Sequence, residues 1–276
     1  MIRLAIRVQR AEAEIVLAQL LELAPTGVEE VDLDAQTVEY AVYGAPGELP
    51  ELPELRVAAG SALVEVRTTD VRDDWSERWK QFHRPVLIGA GRGALWVRPP
   101  WGPGPPPGVH DLVIDPGQAF GTGAHATTRL CLEHLVELAA EGAATGALCD
   151  AGCGSGVLAI AAARLGWSPV QAFDHERESV AATASNARAN GVDVAVARRD
   201  LRDGPPPGAA LVAANLVRGL LLELSRQITD PPRVLIAGGL LEAEEAEVAA
   251  EFAGRHGLDV HSRRSAEGWV ALRLER

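Results

Sequence analysis

From residue 147 to about residue 256, short apolar runs alternate with amphipathic helical stretches. Strands separated by helices need crossover connections, which make them parallel, and helices then cover both faces of the sheet. This pattern predicts an α/β fold with a doubly wound sheet. No helix fits between the last two runs, so we expect them to form an antiparallel pair at one sheet edge. The runs predicted as strands in this part of the chain are 86–88, 94–98, 111–115, 147–150, 170–174, 194–197, 209–214, 233–237, 258–262 and 269–274.

The first 70 residues follow a different pattern. Residues 2–8 alternate between apolar and polar side chains, as in a half-buried strand, and residues 11–23 have helical spacing that ends before Pro25. The order β-α-β-β-α-β predicts a small α+β domain, a ferredoxin-like sandwich of about 70 residues. Its other predicted elements are strands at 28–33, 37–43 and 62–68 and a short helix at 48–58.

An aromatic stripe lies between the two regions. On a helix, Trp75, Trp79 and Phe82 would fall on one face. Packing against a neighbouring domain is the favoured interpretation, and a direct substrate contact is the alternative. The predicted organisation is therefore a small N-terminal domain at 1–70, a linker helix at 71–85 and a larger α/β domain at 86–276.

Composition narrows the function classes. The 276 residues carry a formal net charge of −12, so a basic phosphate-binding face is not expected, and a cationic partner fits better than nucleic acid. No apolar run is long enough for a membrane helix, and the N-terminus lacks the apolar run of a signal peptide. Cys131, Cys149 and Cys153 form neither a disulfide framework nor a zinc-binding pattern. We therefore expect a cytoplasmic protein without a metal site.

A glycine loop follows the apolar run 147–150. The sequence Asp-Ala-Gly-Cys-Gly-Ser-Gly begins at Asp150, so Gly152 and Gly154 lie where a strand turns into a helix. A dinucleotide fingerprint needs a third glycine at Val157, and no P-loop G-K-[ST] occurs. An acid before the loop would repel phosphate but can pair with an ammonium group, directly or through water. These features favour S-adenosylmethionine over a nicotinamide dinucleotide.

Polar side chains end or follow the next three predicted strands. Asp174 is expected to accept hydrogen bonds from the ribose hydroxyls of an adenosine, although an acid at a strand end is often only a solvated cap. Asp200 is a candidate for the adenine amino group, with an ordinary surface acid equally favoured. Asn215 follows a fully apolar run, so a ligand contact is favoured over a capping role.

The segment 114–128 carries a longer motif. It reads D-P-G-x-A-F-G-T-G-x-H-x-T-T from Asp115 and lies upstream of the glycine loop. This combination resembles the bacterial ribosomal protein L-eleven (L11) methyltransferases, the PrmA family, which are class I S-adenosylmethionine-dependent enzymes. Further similarity occurs at Asp74-Trp75, Trp79-Lys80, Ala214-Asn215-Leu216, Ala237-Gly238-Gly239-Leu240 and Glu267-Gly268-Trp269.

The resemblance implies a fold, a cofactor and a partner. The fold is a seven-stranded Rossmann-like domain behind an N-terminal domain that recognises L11, and the acceptors are lysine ε-amines and the α-amine of that protein. The implied S-adenosylmethionine contacts are Thr128, Gly152, Asp174 and Asn215. The chain departs from the family pattern at Ala126, His175-Glu176 and Gly239, none of which removes a ligand-bearing side chain.

The segment 114–128, called the upstream loop below, also suggests roles for individual residues. Gly121 is expected to give flexibility beside the cofactor, and Phe120 to cover it. Thr128 has helix capping as its alternative role. His125 is a candidate base, but ordering the loop by hydrogen bonding is the favoured interpretation. Asn215 is the candidate catalytic residue, which would accept hydrogen bonds from the substrate amine.

Other functions stay open on the sequence alone. They are a nicotinamide-dependent oxidoreductase, a non-catalytic adenosine-binding module for ribosome assembly, and another class I methyltransferase acting on a small molecule or on glutamine. The glutamine-modifying class carries Asn-Pro-Pro-Tyr where this chain has Asn215-Leu216-Val217-Arg218, which argues against it. The expected partner is L11, without direct nucleic-acid readout or membrane contact, and the chain is expected to be a monomer.

Overall fold

The computed structural model describes residues 2–13, 16, 20, 29–32, 34, 36–44, 59–70, 84–116, 121 and 123–276. The chain divides into two compact units, Met1–Gln81 and Phe82–Arg276. The predicted helix at 48–58 lies outside the described residues, as do most of the predicted helix at 11–23 and most of the linker, with its aromatic stripe. In the described part, no helix is long and apolar enough to span a membrane.

The first unit contains one antiparallel sheet. Its strands are β1 (Ile2–Gln9), β2 (Glu29–Asp32), β3 (Thr37–Gly44) and β4 (Leu63–Asp70). They pair in the order β2-β3-β1-β4, as the ferredoxin-like prediction requires. One face is apolar because alternate side chains of a strand point the same way, and its core contains Leu4, Ile6, Val8, Val38 and Tyr40.

The second unit begins with a small sheet of its own. Strands β5 (Val86–Ile88), β6 (Leu95–Arg98) and β7 (His110–Val113) lie side by side in that order. The β5–β6 pair is antiparallel, and the β6–β7 pair is parallel. Strand β7 leads into the upstream loop.

The remaining strands form the predicted large sheet. They are β8 (Leu148–Ala151), β9 (Val170–Asp174), β10 (Ala195–Arg198), β11 (Leu211–Asn215), β12 (Val234–Leu241), β13 (Asp259–Ala266) and β14 (Trp269–Glu275). The order is β10-β9-β8-β11-β12-β14-β13, with β14 antiparallel to both neighbours and the other pairs parallel. The seven-stranded α/β fold is thereby confirmed, together with the antiparallel pair at its edge.

Helices pack against this sheet. They are α1 (Ala126–Ala140), α2 (Val157–Leu165), α3 (Arg177–Asn190), α4 (Arg218–Gln227) and α5 (Glu245–His256). Two apolar cores result, one containing side chains of α1, α2 and α3 and the other containing side chains of α4 and α5. Strand β8 contributes to both, since Leu148 joins the first core and Cys149 the second. Burial on both faces explains why its sequence is continuously apolar before Asp150.

Candidate functional site

A cavity of about 360 Å³ opens at the carboxyl edge of the large sheet. The chain reverses its direction of strand addition between β8 and β11, and ligands of open α/β sheets bind beside such a point. The lining residues come from the upstream loop, the glycine loop, the segments at the ends of β9, β10 and β11, and the helices α1, α2, α3 and α4. They include Gly121, Thr128, Gly152, Gly154, Asp174, Asp200 and Asn215.

The glycine loop needs its glycines for both conformation and space. Gly152 has φ +75°, and a Cβ there would lie 2.5 Å from Cδ2 of Leu216. Gly156 has φ +83°, and a Cβ there would lie 2.7 Å from Cγ2 of Thr183. The Gly152 N–H donates to the carbonyl of Phe173 at 2.9 Å. The loop is therefore held between neighbouring elements, with its backbone exposed to the cavity.

Asp174 lies at the end of β9 and is nearly buried. Its Oδ2 accepts a hydrogen bond from the N–H of Gly154, and its Oδ1 accepts one from the N–H of Glu176, both at 3.0 Å. His175 Nδ1 lies 3.3 Å from the same Oδ1. The carboxylate is thus fixed at the cavity wall, where the sequence predicts a ribose contact.

Asp150 lies below the glycine loop and is not among the residues that line the cavity. Its Oδ2 accepts a hydrogen bond from the N–H of Ala159 at 3.0 Å, within the first turn of α2, and its Oδ1 has no hydrogen-bond partner among the described residues. Burial, together with the charge of Asp174 and against the effect of the Ala159 hydrogen bond, raises the pKa of Asp150 to about 7. The carboxyl group therefore anchors the N-terminus of α2.

Asn215 connects β11 with the start of α1. Its Nδ2 donates to the hydroxyl oxygens of Thr127 and Thr128, both at 3.3 Å. His125 is the N-cap of α1, and its Nδ1 accepts a hydrogen bond from the N–H of Thr127. The His125 ring packs edge-on against Trp269, with 5.4 Å between ring centroids. His125 therefore caps α1 and contacts Trp269, and the loop-ordering role that the sequence favours stays a prediction.

The remaining predicted site residues have different surroundings. The Gly121 carbonyl accepts a hydrogen bond from the hydroxyl of Ser155 at 2.6 Å. Asp200 accepts hydrogen bonds from the backbone N–H, Nε and Nη2 of Arg202, and that guanidinium holds the pKa of Asp200 well below its usual range. Phe120 lies outside the described residues, so its role in covering the cofactor stays a prediction.

Sequence reasoning missed three polar residues that support the site. Ser155, Asn186 and Asn190 are buried and hydrogen-bond to the backbone of the segments that frame the cavity. Two asparagines four residues apart would share one helix face, and this spacing was the available signal.

The cysteines and other potential metal ligands do not form a metal centre in the described part of the chain. No group of three or more His, Cys, Asp or Glu side chains is placed there to hold an ion. All three cysteines are free and buried, and burial raises the pKa of Cys149 to about 12.

A model of the family described as ribosomal protein L11 methyltransferase (PrmA) matches residues 48–276. The chain belongs to this family. The match includes every residue of the candidate site, so the sequence resemblance is confirmed. Assignment to a methyltransferase family also agrees with the predicted cofactor, S-adenosylmethionine.

Individual relatives agree with the PrmA assignment. A ribosomal protein L11 methyltransferase from Burkholderia vietnamiensis is 33% identical over 298 residues, covering 98% of this chain and 96% of the relative. One from Azotobacter vinelandii is 37% identical over 228 residues, covering 80% of this chain and 75% of the relative. A solved ribosomal protein L11 methylase from Lactobacillus delbrueckii subsp. bulgaricus aligns with TM-score 0.57 and 29% identity, covering 69% of this chain and 98% of that structure.

Proposed function

We propose that this protein transfers methyl groups from S-adenosylmethionine to amino groups of ribosomal protein L11, namely lysine ε-amines and the N-terminal α-amine. The observation that carries the proposal is the PrmA family match over 48–276, which includes the whole candidate site. The named relatives are L11 methyltransferases, and one aligns with nearly the full chain.

The cavity fits the cofactor in size and in the chemistry of its wall. Its volume of about 360 Å³ falls within the range of small-molecule sites. We assign the ribose hydroxyls to Asp174, the adenine amino group to Asp200 and the backbone approach to Gly152 and Gly154. Asp150 lies beneath the glycine loop and outside the cavity lining, and its Oδ1 has no hydrogen-bond partner among the described residues, so we assign it a contact with the cofactor ammonium only through water.

The residues around Asn215 suggest how the acceptor amine is held. When bound, S-adenosylmethionine supplies a methyl group that is transferred by in-line displacement. Because Nδ2 of Asn215 donates to both threonine hydroxyls, its Oδ1 is the atom left to accept a hydrogen bond from an amine. An ordinary lysine has a pKa of about 10.4, so the site must favour the neutral amine by desolvation and must hold its lone pair in line. We assign His125 to helix capping in this scheme.

We also propose that the first unit recognises L11 while the second performs the reaction. Every described residue assigned to the cofactor lies in Phe82–Arg276. A fragment of residues 82–276 is therefore expected to bind S-adenosylhomocysteine as the full chain does but to lose methylation of L11, because tethering supplies the effective concentration of substrate. A fragment that methylates L11 as fast as the full chain would contradict this division of labour.

We also propose that the reaction occurs in the cytoplasm and that the chain acts as a monomer. The three free cysteines agree with a reducing compartment.

The transfer reaction tests the function directly. The full chain is incubated with methyl-labelled S-adenosylmethionine and total ribosomal proteins, which are then separated. Label on L11 is expected. Label on another protein, or no transfer despite cofactor binding, would contradict the substrate assignment. Binding of a nicotinamide dinucleotide without S-adenosylhomocysteine binding would instead favour an oxidoreductase.

A further inference from the structure

Two buried asparagines of α3 hold the chain that leads into the upstream loop. Asn190 Nδ2 donates to the carbonyl of Val113 at 2.7 Å, and its Oδ1 accepts from the N–H of the same residue at 2.8 Å. One turn earlier, Asn186 Oδ1 accepts from the N–H of Asp115 at 3.0 Å. The two amides thus satisfy backbone groups that a neighbouring strand would otherwise satisfy.

Asn186 makes a second contact, to the glycine loop. Its Nδ2 donates to the carbonyl of Ser155 at 2.9 Å. The Ser155 hydroxyl in turn donates to the carbonyl of Gly121 at 2.6 Å. A continuous path, Asp115–Asn186–Ser155–Gly121, therefore joins the upstream loop at two points to the loop that follows β8.

We propose that Asn186 is a positioning residue for the cofactor site, holding the upstream loop and the glycine loop in the relative position that a ligand needs. The inference rests on the proposed function. Gly121 lines the cavity from one loop, and Gly152 and Gly154 line it from the other. A ligand that contacts both loops binds more tightly when their relative position is already fixed, because less ordering accompanies binding.

The amide group is essential to this role because it both accepts and donates. Asn186 is 3% exposed and Ser155 is 0% exposed, so water cannot replace a lost partner. An aspartate at 186 would still accept from Asp115 but would place a carboxylate oxygen against the Ser155 carbonyl. Asn190→Asp introduces the same change one turn along, against the carbonyls of Val113 and Asn186, and leaves the side-chain contact of Asn186 with Ser155 in place.

The test compares these two variants in the full chain. Calorimetry measures the Kd of S-adenosylhomocysteine, and thermal unfolding measures stability. Asn186→Asp is expected to raise the Kd about tenfold, equivalent to about 1.4 kcal/mol. Asn190→Asp is expected to lower the melting temperature about as much as Asn186→Asp does, but to change the Kd less than about threefold. Equal Kd changes in the two variants would show that Asn186 is merely structural and would overturn the proposal.

A second variant covers the case in which Asn186→Asp does not fold. Ser155→Ala removes the hydroxyl that joins the two loops, and it should raise the Kd in the same direction. A wild-type Kd in Ser155→Ala would overturn the proposal. Where both single variants fold, the double variant should raise the Kd by less than the product of the single effects, because the two contacts act in series. Failure of the wild-type chain to bind S-adenosylhomocysteine would refute the proposed function instead, so the two failures are distinguishable.

Discussion

Replacing Asp150 with asparagine is expected to stabilise the protein above neutral pH. The Asp150 side chain is 1% exposed, Ala159 donates to its Oδ2, and its Oδ1 has no hydrogen-bond partner in the described part of the chain. Burial raises its pKa from 3.8 to about 7. Asparagine keeps an acceptor for Ala159 but carries no charge, so the cost of burying a carboxylate disappears.

The pH dependence of stability follows from the pKa of Asp150, which is about 3.8 in the unfolded chain and about 7 in the folded protein. Between about pH 4 and pH 7 the folded protein holds a proton that the unfolded chain has lost, so the free energy of unfolding falls as pH rises. Across the whole interval between the two pKa values, the free energy of unfolding falls by roughly 4 kcal/mol. An unpartnered amide in place of Oδ1 costs about 1–3 kcal/mol, which leaves a net gain of about 1–3 kcal/mol for the variant at high pH.

Urea unfolding of the wild type and of Asp150→Asn from about pH 5 to about pH 8.5 measures this effect. The wild type should lose stability across the range relative to the variant, and the variant should be the more stable of the two above about pH 7. The control Asp193→Asn changes an exposed aspartate on the same domain and should follow the wild type. Parallel curves for the wild type and Asp150→Asn would refute the assigned burial of the charge.

Three further substitutions test the site itself. Asp174→Ala removes the acceptor of two backbone N–H groups and the proposed ribose contact, so calorimetry should show S-adenosylhomocysteine binding weakened at least about 100-fold; near-native affinity would contradict the assignment. Gly152→Arg combines a φ of +75° with a Cβ placed 2.5 Å from Leu216, so it should abolish that binding, and retained affinity would argue against the loop as the cofactor site. The wild type should bind S-adenosylhomocysteine about tenfold more tightly than S-inosylhomocysteine, because only adenine offers an amino group to the Asp200 carboxylate. Asp200→Asn should remove this preference. A wild type that binds both compounds equally would exclude Asp200 from adenine recognition.

The parts of the site that sequence could predict are those carried by local pattern. Parallel strands bring their carboxyl ends to one edge, so Asp174 and Asn215 could be placed beside the glycine loop from strand order alone. The contacts of Asn186 could not be predicted in this way, because its partner Asp115 lies 71 residues away in sequence. For Asp150 the sequence showed an acid before the glycine loop, but its contact with Ala159 depends on the path of that loop into α2.

The small sheet shows a similar limit. Its three strands were predicted from their apolar runs, but whether they joined the large sheet was not decided by those runs. The structure pairs β6 with both β5 and β7 in a separate sheet. Pairing partners are set by tertiary packing, which a single-strand pattern does not encode.

The central claim is methyl transfer to L11 by the site at the carboxyl edge of the large sheet. Intact-mass spectrometry of purified L11, incubated with S-adenosylmethionine and the full chain, measures it most directly. We predict mass increments of whole methyl groups on L11 that are absent with the Asp174→Ala variant. Unmodified L11 after incubation with a wild-type chain that binds the cofactor would contradict the claim.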